Sequence, residues 1–226
     1  MATRAYRTVA DLPQVIPVFP LDGALLLPGG LLPLRIFEPR YLNMVDDAMA
    51  GDRLIGMVQT KPDSDRERPS LAKVGCAGRI TRYAEAGDGT YLITLTGLCR
   101  FRPAEELPFR TPYRQVHADY ARFESDLDVD DDAPEFDRAP FLAILRRYLD
   151  QRGLGVEWEA VAAAPAGALI NSLAMALPFE PAEKQALLEA PGLEERRETL
   201  TALLRFGAAT GPENEEGDDD ARPSLH

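Results

Sequence analysis

The sequence predicts a mixed α+β fold, a β-rich first half with one embedded helix followed by a helical second half. Two periods and one boundary carry that prediction. Apolar residues alternate with a period of two in several stretches up to Phe123, then recur every three or four residues beyond Arg138. Between the two regimes, Glu124 to Asp137 holds eight acids and no base.

The first strand is "VIPVFPL" (15–21), whose Pro17 and Pro20 suit an edge strand or a strand end because proline cannot donate to a ladder. Pro28-Gly29-Gly30 marks a turn into "LLPLRIF" (31–37). Leucine crowds residues 19–49, but Pro20, Pro28 and Pro33 interrupt it and Arg35 and Glu38 follow. No run reaches the about 18 apolar residues that a spanning helix needs, so the stretch is a folding unit and not a membrane anchor. Glu38-Pro39 opens a helix, since proline loses nothing at the first helical position. Tyr41, Met44, Val45, Ala48 and Met49 make its apolar stripe, and Gly51 closes it.

"LIGMVQT" (54–60) reads as a strand, and residues 74–102 as a hairpin turning at Asp88-Gly89. Residues 113–123 alternate again through Val116, Ala118 and Tyr120. Six or so short strands with one helix suggest a small barrel or curled sheet. Beyond the acids, Phe141, Leu142, Leu145, Tyr148 and Leu149 fall on one helix face, with Gly153 after its end. "PAGALINSLAMAL" (165–177) is almost wholly apolar and reads as the central, most buried helix. A second Glu-Pro start at Glu180-Pro181 and a break at Pro191-Gly192 complete a bundle of four or five short helices. The expected organisation is a flexible N-terminus (1–13), a β-rich subdomain (14–123), an acidic linker (124–137), a helical subdomain (138–207) and a disordered acidic tail (208–226).

Net charge is −12, yet it is unevenly spread. Eight acids lie in the linker and six more between Glu213 and Asp220; removing those fourteen from the 37 leaves 23 acids against 25 bases, a nearly neutral body. Solvated acid, with no basic surface apparent in the sequence, argues against a nucleic-acid partner. Cys76 and Cys99 sit in apolar strand text and read as buried reduced thiols; a bridge or a redox role is the other reading. The N-terminus has no apolar leader segment, so a cytoplasmic location is expected.

No catalytic constellation stands out in the sequence. The three lysines, Lys61, Lys73 and Lys184, follow no P-loop pattern. Two histidines, His117 and His226, are too few for a multi-histidine metal site, and His117 lies on a polar strand face. None of the five serines stands in a nucleophile elbow, and Ser172 reads as a helix hydroxyl bonded to its own backbone. Asp46-Asp47 and Asp130-Asp131-Asp132 read as solvated charge, so no metal and no cofactor are expected.

Several motifs in order resemble the Lon N-terminal domain, the substrate-recognising region of the ATP-dependent Lon protease. "IPVFPLDGALLLPGGLLPLRIFEPRYLNMVDDAMAGDRLIGMV" carries the likeness, continued by "VGCAGRITRY", "DGTYLITLTGLCRFR" and "SLAMALPFEPAEKQALLEAPGLEERRETLTALL", about residues 14 to 206. The resemblance implies a PUA-like barrel followed by a helical subdomain, and binding of exposed, often unfolded, protein segments. The residues given include no ATPase module and no Ser-Lys protease domain, so the expectation is a stand-alone, non-enzymatic bacterial protein of this type, working with a protease or with clients of its own. Around "FEPRY", Arg35, Phe37, Arg40 and Tyr41 are the candidate binding residues; the structural reading of the same residues is a helix start with Tyr41 packed inside. Prolines blunt the strand edges, which favours a hydrophobic cleft between barrel and helices as the binding place. A small-molecule ligand in that cleft is the alternative.

Overall fold

The computed structural model describes residues 6–61, 68–108, 110–128 and 136–209. Period-two stretches build β1 (Val15–Pro20), β2 (Leu31–Ile36), β3 (Leu54–Thr60), β4 (Leu71–Glu85), β5 (Tyr91–Glu106) and β6 (Arg114–Asp119), with α1 (Pro39–Ala50) between β2 and β3. Five of the strands close a ring, β5–β4–β3–β1–β6 and back to β5, and β2 is added on the outer part of β5. β1 and β3 run parallel; the other pairs are antiparallel. The two hairpin strands are the longest, 15 residues in β4 and 16 in β5. Their length lets β5 hold β2 near the hairpin turn and β6 at its far end.

Ring closure changes the place of β1. It is not an edge strand: it lies between β3 and β6. Its prolines fit because Pro17 is in register only with β6 and Pro20 only with β3, while Val18 alone pairs on both sides. Inside the ring, the buried Phe101 ring occupies space above Gly56 and Gly75, where a Cβ would come within 2.8 Å of it. Leu25, Leu26 and Leu27 are all buried in the β1–β2 connection. That connection lies so close to β5 that a Cβ on Gly97 would stand 2.0 Å from the Leu27 carbonyl oxygen. Gly97 and the Gly29-Gly30 turn exchange two backbone hydrogen bonds there, of 3.0 and 2.9 Å.

Helices α2 (Arg138–Arg152), α3 (Trp158–Ala163), α4 (Ala166–Ala176), α5 (Pro181–Glu189) and α6 (Leu193–Ala209) follow. Asp137 caps α2 through Ala139 N–H, and Gly153 ends it in the left-handed conformation. The hub is α6, which packs on α2, α4 and α5, while α5 packs on β4. Helix α4 is not the central one, since Ala168, Ser172 and Ala176 are exposed on its outer side. Alanine adds to an apolar reading yet loses little when it faces water. Within residues 6–13, Val9–Asp11 makes a 3-10 turn and Leu12 is buried. Residues 129–135 and 210–226, which include Asp130–Asp132 and most of the expected tail, lie outside the described residues.

Among the described residues of the acidic boundary, Asp126 is an acid that is not solvated. A 3-10 segment at Ala121–Leu127 lays Asp126 against Arg100 of β5, and the two side chains are 8% and 3% exposed. Arg100 Nε and a terminal nitrogen donate to the two Asp126 oxygens at 2.9 and 2.8 Å. The remaining N–H groups donate to the carbonyls of Leu188, near the end of α5, and of Ala190 and Pro191 in the turn to α6. Asp126→Asn leaves a buried guanidinium without its counter-charge. We expect that variant to lose about 3–5 kcal/mol in denaturant unfolding, whereas Glu124→Gln, on the exposed side of the same turn, stays within about 0.5 kcal/mol of the parent.

Candidate functional site

β2 pairs only with β5 among the described residues, and its burial alternates. Leu31, Pro33 and Arg35 face water, and Phe37 continues the alternation just past the strand. Their cross-strand partners on β5 are Thr96, Thr94 and Leu92. Directly paired residues share a face, so Leu31 (62% exposed) and Leu92 (49%) belong to one uncovered sheet surface, which the exposed Phe37 (66%) extends one residue past the strand. From Leu31 to Phe37 the strip measures about 20 Å at a strand's rise per residue.

Arg35 sits within this strip. It donates to Asp88 at 2.5 Å and to the Thr90 hydroxyl at 3.3 Å, which holds its guanidinium across the end of the β4–β5 hairpin. Hydrogen bonds from Thr90, its hydroxyl first and then its N–H, keep the Asp88 carboxyl below the ordinary aspartate value, and Arg35 adds to the effect. Arg40 is bonded to Glu38 at 2.9 Å and lies 4.6 Å over the Tyr41 ring. Tyr41 itself is 6% exposed, with its ring 4.1 Å from that of Phe19, and burial raises its phenol. The four residues singled out in the sequence therefore separate. Arg35 and Phe37 share the open face, Tyr41 belongs to the core, and Arg40 lies over the Tyr41 ring.

Leu31, Pro33 and Leu92 were not singled out. The i, i+2 spacing of 31, 33, 35 and 37 was the available signal for the first two, but Leu92 joins them only through the register of β2 on β5.

Side-chain hydrogen bonds tie the sheet to the helices where the cleft is expected. Gln59 donates to Pro181 O and Gln185 Oε1 at 3.0 and 3.1 Å and accepts from Gly23 N–H. The buried Lys184 donates to Gly23 O at 2.7 Å, and burial lowers its ammonium below the usual lysine value. Asn171 bonds Pro28 O and accepts from Arg196, whose guanidinium is pushed down to about 10 by burial and stays charged at neutral pH. Cys76 and Cys99 are free, buried thiols raised by the same desolvation, Cys99 to about 12, which makes them poor nucleophiles. His117 is exposed, and so is Ser172.

A second surface feature is polar. Where β3 ends and β4 begins, opposite the meeting of β5 and β6, a depression of about 450 Å³ is lined by Lys61, Arg68, Lys73, Arg102 and Arg114 around Glu106. Arg114 grips Glu106 with two hydrogen bonds of 2.7 Å, and Arg68 adds a third.

A family model for the substrate-binding domain of ATP-dependent protease La (Lon) matches residues 15–205. The chain belongs to the Lon substrate-binding domain family. Lon protease 2 of Myxococcus xanthus is 29% identical over 205 residues, covering 86% of this chain and 24% of that protein. Lon protease of Anaeromyxobacter dehalogenans is 30% identical over 205 residues, covering 86% and 23%. The chain thus spans about a quarter of the length of these curated relatives. The crystal structure of a Lon N-terminal domain protein from Xanthomonas campestris shares the fold, with a TM-score of 0.60, 24% identity, and coverage of 83% of this chain and 97% of that one. The N-terminal domain of Mycobacterium avium complex Lon protease does so at a TM-score of 0.60 and 18% identity, covering 84% and 97%. The match falls on the Lon substrate-binding region, and no helix among the described residues is long and apolar enough to cross a membrane.

Two outcomes check this geometry. Tyr41→Ala, a core truncation, costs about 3–5 kcal/mol in denaturant unfolding, while Phe37→Ala on the open face stays within about 0.5 kcal/mol of the parent. Glu106 is held below the ordinary glutamate value chiefly by Arg114, so its share of stability is present above about pH 4.3 and is lost as pH falls through the lowered native value. Glu106→Gln removes that dependence, and its unfolding free energy converges on the parent's in acid.

Proposed function

We propose that this chain is a non-enzymatic protein-binding module that takes exposed apolar or unfolded segments on the outer face of β2 and β5, in a role linked to proteolysis. The observation that carries the reading is the placement of Leu31, Phe37 and Leu92, three large apolar side chains on one uncovered sheet face. Single exposed apolar residues are common, but several gathered on one face mark a surface that another molecule covers. Polar residues rim the strip: Arg35, Thr94 and Thr96 stand beside the apolar side chains, the mixture found at protein-binding surfaces. The about 20 Å strip accommodates roughly six residues of an extended segment.

Membership in the Lon substrate-binding family supports the same reading and ties it to a protease as the partner downstream. The closed five-strand ring supports regarding residues 14–123 as a PUA-like subdomain and residues 138–207 as its helical companion. In this reading the clients are misfolded or unfolded proteins of the cytoplasm, no nucleotide or metal takes part, and nucleic acid and membrane are not partners.

The test is a titration of the full chain with a labelled peptide rich in Leu and Phe and free of acids. Phe37→Asp with Leu92→Asp should weaken binding by about tenfold or more, a loss of about 1.4 kcal/mol or more. Unaltered affinity in that double variant would remove the sheet face from consideration.

A further inference from the structure

The open face does not end at β5. Strand register carries it onto β4: Thr94 pairs with Pro33 on one side and Arg82 on the other, and Leu92 pairs with Arg35 and Ala84. Directly paired residues share a face, so Arg82 and Ala84 lie on the same surface as Arg35 and Leu92. A shift of register between Ile80 and Arg82 puts them there. The extra residue leaves Thr81 and Arg82 both exposed and turns Tyr83 to the opposite face, in register with the buried Ile93. An arginine on each neighbouring strand therefore flanks the Leu92–Thr94 stretch of β5.

The two arginines differ in their partners. Arg35 is held by Asp88 and Thr90 at the hairpin turn. Arg82 is exposed and makes no ion pair among the described residues. The other acid at this end of the hairpin, Glu85, is in register with Tyr91 and accepts from the Tyr83 hydroxyl at 2.9 Å, on the opposite face. The rows that cross Leu31, Pro33 and Arg35 hold no acid on the open face. A bound segment shields Arg82 from water, and Coulomb attraction strengthens as the local dielectric falls. The counter-charge that Arg82 lacks then has to come from the segment itself.

We propose that Arg82 selects among apolar segments: the open face prefers those carrying a carboxylate side chain two residues from the apolar side chain that covers Leu92. This rests on the reading that such segments bind this face. In an extended segment lying along β5, alternate side chains point the same way and recur about every 7 Å. A side chain seated over Leu92 therefore places the next one on its side over Thr94, directly beside Arg82. An acid only one residue away points to water and gains nothing. Arg35, already bonded to Asp88, contributes less to the choice.

The test titrates the full chain with labelled, end-blocked peptides in which Leu or Phe alternates with Ser, read by fluorescence anisotropy. A single position, either in phase with the apolar residues or out of phase, carries Glu or its neutral isostere Gln. In phase, the Glu peptide should bind about threefold or more tighter than the Gln peptide; out of phase, the two should bind alike. Arg82→Gln should bring the in-phase ratio to about one, and Arg82→Lys should retain part of the preference. Equal binding of the in-phase pair would overturn the proposal and leave the sheet face as the binding place. A preference that survives Arg82→Gln would overturn it as well. If no peptide bound, with Glu or without, the sheet-face reading would fall and this inference with it.

Discussion

One buried cation holds the two halves of this molecule in place. Arg100 is 2% exposed, and removing its charge from water is costly unless every donor finds a partner. All five of its N–H groups do, on Asp126 and on the carbonyls between α5 and α6. The Phe123 ring covers the guanidinium at 4.7 Å. A strand of the ring, the 3-10 segment after β6 and the turn between two helices therefore meet at one side chain. Gln59, Lys184 and Asn171 add further hydrogen bonds along the same junction. The junction is consequently packed and bonded, and the open apolar sheet face lies on the other half of β5.

The leucines near the N-terminal end show how backbone geometry, not composition, decides exposure. Leu25, Leu26 and Leu27 lie in a connection drawn against β5 by the hydrogen bonds between Gly97 and the Gly29-Gly30 turn, and all three are buried. Leu31, immediately past that turn, begins an added strand with a neighbour on one side, and its side chain points outward. The same residue type thus anchors the core in one place and remains available to a partner a few residues later.

Local rules made much of the fold legible. The stripe through Tyr41, Met44, Val45 and Ala48, the Asp88-Gly89 turn and the Gly153 stop each follow from spacing or from one residue's backbone preference, and each stands where expected. Non-local facts were illegible. Ring closure depends on β5 pairing with β6 far from its own hairpin. The burial of Asp126 could not be told from its exposed neighbours, because a run of acids shows no sign of which one meets an arginine. Helix α3, only Trp158–Ala163, is too short to display a period, and Arg146 stacks 4.5 Å over its Trp158. At the candidate site Arg35 and Phe37 are visible in the sequence, Tyr41 is buried, and Leu92 joins the open face only through strand register.

The central claim is that the outer face of β2 and β5 receives apolar segments while the sheet–helix junction stays closed. Leucine methyl NMR of the full chain during titration with an acid-free Leu/Phe peptide tests it most directly. The account predicts saturable shifts at Leu31 and Leu92, with Leu187 and Leu188 at the junction unchanged. Shifts centred on Leu187 and Leu188, with Leu31 and Leu92 still, would contradict it and return the site to the junction.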